Sequence, residues 1–185
     1  SKNLGCMGDG GALFTNDDTL AKKIRMIANH GQSVQYVHDE IGVNSRLDSI
    51  QAAILRVKLK HLDSYAAARQ KAAAYYDKAF SGNAKIKTPE RSKNSTHVFH
   101  QYTLVVNGVN RDELRQYLAE KEIPAMIYYP IPLHMQKAYK DDRYKEGNFP
   151  VTEKLCANVL SLPMHTELDE EQLEYITRAV LEFCK

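Results

Sequence analysis

The first residues of the chain combine a lysine with a cluster of glycines. Lys2 is followed by Gly5, Gly8, Gly10 and Gly11. Residues 11–15 have the apolar character of a short strand, so the glycines predict a tight turn or the close approach of another group to the backbone. A dinucleotide-binding Gly-x-Gly-x-x-Gly loop follows a strand, whereas these glycines precede one, and we exclude that motif. By position alone, Lys2 is a solvated surface charge.

A polar loop predicted over residues 31–48 carries the next candidates, Asn44 and Arg46. Loops of this length and content are often functional. A guanidinium can bind a carboxylate or a phosphate through two parallel hydrogen bonds. The spacing is equally compatible with Asn44 as a turn or cap residue before the next helix and with Arg46 as a surface charge.

Histidine, cysteine and overall charge exclude several other classes of protein. The seven histidines form no HExxH motif or Cys/His quartet, and His97 and His100 would face opposite sides of a strand, so we predict structural histidines and no metal site. Three cysteines without a Cys-x-x-Cys pair indicate reduced thiols and a cytoplasmic location. A net charge of +2 argues against nucleic-acid binding, and no apolar run approaches the roughly 20 residues that span a bilayer.

The longest structural pattern is an apolar repeat every three or four residues between 49 and 81, with neither glycine nor proline from Val43 to Ser81. A continuous helix over about thirty of these residues would be roughly 45 Å long. We expect it to bridge two domains or to lie along a subunit interface, with a solvated coiled-coil arm as the alternative.

The elements on either side of this helix indicate a mixed α/β protein. A first helix is predicted after Asn16 or Asp17 and before Gly31. Later elements are, in order, a strand over 98–106, a helix capped by Asn110 and Glu113, a strand over 123–129, a helix from Pro150 through Val159 and a helix capped by Asp169 and Gln172.

The chain resembles the fold-type I, pyridoxal-phosphate-dependent sugar aminotransferases of the DegT/StrS type. The resemblance is carried by residues 1–5, 8–11, 42–48, 51–53, 129–134 and 160–165. It implies an α/β fold with three parts: the end of the large cofactor domain with an interface loop over residues 1–48, a long bridging helix over 49–81, and a small C-terminal α/β domain over 82–185. The chain then looks like the back part of a longer protein, and we expect it alone to be inactive.

The same resemblance implies roles for individual residues. Lys2 would form the Schiff base with pyridoxal 5'-phosphate, and Asn44 would bind the cofactor phosphate from the neighbouring subunit. The substrate-binding residues would be Arg46, Tyr128, Tyr129 and His134. Tyr128 stands where the family often has histidine, and Lys2 argues against the related sugar dehydratases, which have histidine at the lysine position.

The implied activity is the transfer of an amino group, from glutamate, to a nucleotide-linked keto-sugar, with a UDP-linked 3-keto sugar as the narrower expectation. The implied partners are the nucleotide-sugar, the amino-acid donor and a second copy in a homodimer with shared sites, without nucleic acid or membrane. The alternative is a non-catalytic oligomerisation or binding module that lacks the cofactor domain.

Overall fold

The computed structural model describes residues 2–185, and the chain divides into two compact units, Ser1–Leu62 and Asp63–Lys185. The helices are α1 (Asp18–Ala28), α2 (Ser49–Leu59), α3 (Leu62–Phe80), α4 (Arg111–Glu120), α5 (Pro150–Asn158) and α6 (Glu170–Phe183). The strands are β1 (Gln32–Val34), β2 (Val37–His38), β3 (Ile86–Lys87), β4 (Tyr102–Val106) and β5 (Val159–Leu162).

In the first unit, α1 begins and ends as its sequence predicts. The Asp17 carboxylate accepts hydrogen bonds from the backbone N–H groups of Thr19 and Leu20, at 2.9 and 3.0 Å, which caps the N-terminus. At the other end, the N–H of Gly31 donates to the Met26 carbonyl at 2.8 Å. Gly31 has a φ of +75°, the left-handed conformation that favours glycine after a helix.

The strand predicted over residues 11–15 does not form. These residues have no regular secondary structure, and Leu13 and Phe14 are 76% and 94% exposed. A strand needs a neighbour for its N–H and C=O groups, and in the described part of the chain no strand pairs with this segment. Conversely, β1 and β2 form a short antiparallel hairpin inside the region predicted as a loop.

The single helix predicted over 49–81 is corrected to two helices, α2 and α3. Between them the N–H groups of Lys60 and His61 donate three residues back, to Val57 and Lys58 at 3.3 and 3.0 Å. Such i→i−3 bonds tighten the last turn of a helix without glycine or proline, which is why composition gave no sign of the interruption. The division between the compact units falls after Leu62, so α3 belongs to the second unit.

The second unit is built on the antiparallel sheet β3–β4–β5. Leu104 of β4 lies opposite Leu160 of β5, and Val106 lies opposite Ile86 of β3. The predicted alternation is confirmed within β4, because Tyr102, Leu104 and Val106 are buried while the residues between them are only half-buried. The predicted start at residue 98 is wrong, since residues 98–101 form no strand and Phe99 rather than Val98 is buried. The core adds side chains of α3, α4 and α6, including Tyr76, Phe80, Leu114, Leu118 and Val180.

Two predictions in this unit are corrected by the sheet. Residues 123–129 form no strand; Met126 alone bridges to Ser161, through reciprocal bonds of 3.0 and 2.7 Å, and Pro124 has no N–H to extend the ladder. The helix predicted through Val159 ends at Asn158, because residues 159–162 pair with β4 as the buried strand β5.

Candidate active site

The glycine-rich segment after Lys2 is held by α2. The amide side chain of Gln51 accepts from the Met7 N–H at 2.9 Å and donates to the Met7 carbonyl at 2.6 Å, so it satisfies both backbone groups of one residue. Lys58 donates to the Gly5 carbonyl. The side chain of Lys2 is exposed, and the backbone that follows it is fixed at two points on one helix.

The structure explains why glycine occupies two positions in this segment. Gly8 has a φ of +123°, which side chains rarely tolerate. A Cβ on Gly10 would lie 2.1 Å from the Sγ atom of Cys6, so this position accepts only glycine unless Cys6 moves. The close approach predicted for the glycine cluster is therefore found, and the approaching group is the thiol of Cys6.

The loop that carries Asn44 is fixed to the C-terminal end of α1. The N–H groups of Val43 and Ser45 donate to the carbonyls of Ile27 and Ala28, at 2.8 and 2.9 Å. These carbonyls are among the last of a helix, which need partners from outside it. The exposed helix end thus determines where the backbone on both sides of Asn44 lies.

The structure brings Asn44 and Arg46 together. The Nε atom of Arg46 donates to the Asn44 Oδ1 atom at 3.1 Å, although the two residues are only two apart in an irregular segment. The amide NH₂ of Asn44 and the Nη groups of Arg46 make no hydrogen bond with residues 2–185. The pair therefore presents several N–H donors beside one positive charge, which is a donor set suited to phosphate or carboxylate oxygens.

A cleft of about 530 Å³ lies in the same unit, between residues 9–13 and residues 45–48. Arg46 lines this cleft, together with the carboxylates of Asp9 and Asp48. Lys2 and Asn44 do not line it. The Asp48 carboxylate also caps α2 by accepting from the Gln51 N–H at 2.7 Å, so the cleft is bordered by the start of the helix that holds the glycine segment.

In the second unit, Tyr128 and Tyr129 lie side by side, whereas His134 has other partners. The two tyrosine rings meet edge to face, with centroids 5.8 Å apart, and Tyr129 is 71% exposed. The Nε2 atom of His134 lies 3.1 Å from Oε1 of Glu153, and its side chain is only 9% exposed. The imidazole ring packs on Phe149, with centroids 4.8 Å apart.

Glu153 is a residue of this region that sequence analysis missed. Besides contacting His134, its carboxylate accepts from the Gly147 N–H at 2.9 Å and from the Phe149 N–H at 3.2 Å. Burial alone would raise the pKa of Glu153, but these backbone hydrogen bonds and the contact with His134 together lower it. The sequence carried one signal for Glu153, namely its position as an acidic residue in the first turn of a helix that begins with proline.

Within residues 2–185, no three His, Cys, Asp or Glu side chains are grouped as metal ligands. None of the helices formed by these residues has both the length and the apolar character needed to cross a membrane.

Comparison with known proteins identifies the family to which this chain belongs. The model of the DegT/DnrJ/EryC1/StrS aminotransferase family matches residues 1–181, and the chain belongs to this family. Solved structures that match it are fold-type I aminotransferases, which agrees with the α/β fold described above.

Individual relatives give further detail. The chain is 46% identical over 188 residues to the "pleiotropic regulatory protein" of Geobacillus stearothermophilus, covering 100% of this chain and 50% of that protein. It is 46% identical over 180 residues to the UDP-2-acetamido-2-deoxy-3-oxo-D-glucuronate aminotransferase of Pseudomonas aeruginosa, covering 97% and 48%.

Among solved structures, S. venezuelae DesV in complex with a ketimine intermediate matches with a TM-score of 0.94 and 39% identity, covering 99% of this chain and 49% of that one. The chain thus spans about half the length of the curated relatives it matches.

Proposed function

We propose that this chain is the C-terminal portion of a pyridoxal-phosphate-dependent aminotransferase that moves an amino group onto a nucleotide-linked keto-sugar. The observation that carries the proposal is the match of residues 1–181 to one aminotransferase family. The local geometry supports it, since α2 fixes the backbone that follows the exposed Lys2.

The residues present fit the cofactor that this activity needs. Pyridoxal phosphate, when bound, supplies an aldehyde for an amino group and a ring that withdraws electrons from the adjacent carbon. The Nζ atom of Lys2 would hold the cofactor covalently and, when released, would take a proton from one carbon and return it to another. The amide NH₂ of Asn44, which has no hydrogen-bond partner among residues 2–185, would donate to the phosphate.

The substrate side of the proposal assigns Arg46, Tyr128, Tyr129 and His134 to the nucleotide-sugar. Arg46 supplies a positively charged guanidinium with several N–H donors, and its Nε atom is held by Asn44. The exposed tyrosines supply aromatic surface and hydroxyl groups. The name of the Pseudomonas relative at 46% identity supports a UDP-linked 3-keto sugar as substrate. Glutamate is the proposed amino donor.

The proposed organisation follows the same family. Residues 1–48 would close the large cofactor domain, α2 and α3 would connect it to the small domain, and residues 82–185 would form most of that domain. The active protein would be a homodimer in which Asn44 serves the site of the other subunit. The comparisons do not favour the non-catalytic binding module that the sequence left open as an alternative.

Complementation between inactive variants of the full-length protein tests both the activity and the shared site. Lys2→Ala and Asn44→Ala subunits, each inactive, are mixed and allowed to exchange. When the two variants are mixed in equal amounts, half of the two-fold symmetric dimers contain one subunit of each kind. One of the two sites in such a mixed dimer is intact, so about a quarter of wild-type transamination should return.

The control variant for this experiment is Asn94→Ala, an exposed asparagine that should be active without mixing. An inactive wild-type protein, assayed with glutamate and UDP-linked 3-keto sugars, would refute the proposed function. An active wild type with no recovery, despite proven subunit exchange, would refute only the shared site.

A further inference from the structure

The carboxylate of Glu153 connects three segments of the second unit. Phe149, the N-cap residue of α5, has no side-chain capping bond, so the N-terminus lacks the usual Ser, Thr, Asp or Asn oxygen. Glu153, one turn into the helix, folds back and accepts from the N–H groups of Phe149 and Gly147. The same Oε1 atom lies 3.1 Å from His134. The carboxylate of Glu153 therefore joins the start of α5, the turn before it and residues 133–135.

When the imidazole of His134 is neutral, the contact with Glu153 determines which of its nitrogens carries the proton. An ionised carboxylate only accepts hydrogen bonds, so the Nε2 atom must donate. In a neutral imidazole the other nitrogen, Nδ1, is then an acceptor. No hydrogen bond joins Nδ1 of His134 to residues 2–185, and the side chain is 9% exposed.

Within residues 2–185, the segment over 130–136 makes one hydrogen bond to an α-helix or a strand, that of His134 with Glu153. Its own hydrogen bonds are local: Met135 and Gln136 donate to the carbonyls of Pro132 and Leu133, at 3.0 and 3.1 Å. The prolines at 130 and 132 restrict its backbone, and Pro132 is buried, so packing also holds the segment. Its anchor to α5 is the contact of His134 with Glu153, supported by the packing of the imidazole on Phe149.

We propose that Glu153 is a positioning residue, which holds His134 with Nε2 protonated so that Nδ1 accepts a hydrogen bond from a hydroxyl of the nucleotide-sugar. This inference rests on the proposed function. It assigns Glu153 no contact with the sugar. It predicts that binding of the sugar depends on Glu153, whereas reaction with the amino donor does not.

Proton exchange at the imidazole tests the geometry without any activity. In a long-range ¹H–¹⁵N spectrum of the full-length protein, with His134 assigned by its loss in His134→Gln, the wild type should show a solvent-protected proton on Nε2. Glu153→Leu, which has no acceptor, should remove that protection. A protected proton on Nδ1, or an Nε2 proton that is unchanged in Glu153→Leu, would overturn the proposal.

Steady-state kinetics of the full-length protein separates positioning from a purely structural cap. In Glu153→Leu the KM for the nucleotide-sugar should rise about tenfold, the equivalent of one hydrogen bond, while the half-reaction with glutamate stays unchanged. Glu153→Gln, which keeps one acceptor oxygen, should lie between Glu153→Leu and wild type.

Glu171→Gln is the matched control for these variants, because Glu171 occupies the first turn of α6 and its carboxylate accepts no hydrogen bond from residues 2–185. It should leave both half-reactions unchanged. Equal losses in the two half-reactions of Glu153→Leu, or no loss in either, would overturn the positioning role. A wild type without a glutamate half-reaction would refute the proposed function instead.

Discussion

The contact between Gly42 and the end of α1 provides a sharp test of how the Asn44 loop is held. A Cβ on residue 42 would lie 2.1 Å from the Gly31 nitrogen and 2.6 Å from the Ile27 oxygen. Both are backbone atoms, so no side-chain rotation relieves the clash. Gly42→Ala must therefore move the loop away from the helix end.

The cost of this movement follows from the hydrogen bonds on either side of Gly42. Three backbone bonds depend on the close contact: His30 N–H to the Val43 carbonyl, Val43 N–H to Ile27, and Ser45 N–H to Ala28. At about 1 kcal/mol each, their loss would cost about 3 kcal/mol locally. Amide hydrogen exchange at residues 43 and 45 should then accelerate by about two orders of magnitude, and affinity for pyridoxal phosphate should fall in the full-length protein.

Gly11→Ala is the control, because a Cβ at residue 11 meets no atom within 4 Å and φ there is not positive. It should exchange like wild type at residues 43 and 45. If Gly42→Ala showed the same protection as Gly11→Ala, the contact of Gly42 with the end of α1 would not be what holds the Asn44 loop.

Three further predictions concern other parts of the chain. Tyr102→Phe should lower the free energy of unfolding by about 1–2 kcal/mol, because the buried hydroxyl donates to Asp77 Oδ1 at 2.6 Å, whereas Tyr36→Phe, on an 81% exposed ring, should have no effect in the same urea titration. Hydrogen bonding lowers the pKa of Glu153 in the folded protein. The ionised carboxylate therefore stabilises the fold above its unfolded pKa of about 4.3, and this stabilisation is lost as the pH falls through the lower folded pKa. The difference in free energy of unfolding between wild type and Glu153→Gln should shrink on acidification, and a constant difference would contradict this. Arg46→Lys should raise the KM for the nucleotide-sugar about tenfold, because it removes the hydrogen bond to Asn44 and the planar guanidinium. The control is Arg143→Lys, which should leave this KM unchanged, since the exposed guanidinium of Arg143 pairs with Asp141.

Local sequence signals predicted the helix boundaries best. Asp17 caps α1, and Asp169 and Gln172 form the complete capping box of α6, because these interactions span at most three residues. Asn110 caps α4, but Glu113 accepts from the asparagine side chain rather than from its backbone. Such caps depend on neighbouring residues alone and are visible without knowledge of the fold.

Strands were harder to predict, because their partners lie far away in the sequence. Residues 159–162 continue the apolar pattern of a helix, and only pairing with β4, more than fifty residues earlier, makes them a strand. Residues 11–15 show the opposite error: the local pattern is that of a strand, but no partner lies in the described part of the chain. Sequence patterns report the preference of a segment, and long-range pairing decides its conformation.

For the candidate site, the motifs selected individual residues but not their contacts. Asn44 and Arg46 were predicted separately, whereas the structure joins them in one donor group. His134 was expected to face substrate through its imidazole, but half of its hydrogen-bonding capacity is directed to Glu153. The roles of Gln51 and Lys58 in holding the glycine segment could not be predicted either, since α2 lies more than forty residues beyond it.

The most direct test of the central proposal is to identify the lysine that carries the cofactor. The full-length protein is incubated with pyridoxal phosphate, reduced with borohydride and digested, and the modified peptide is sequenced by mass spectrometry. We expect one stoichiometric pyridoxyl group on Lys2, together with loss of the visible absorbance band. Stoichiometric modification of another lysine, such as Lys58, with Lys2 unmodified, would contradict the assignment of Lys2 as the cofactor-binding residue.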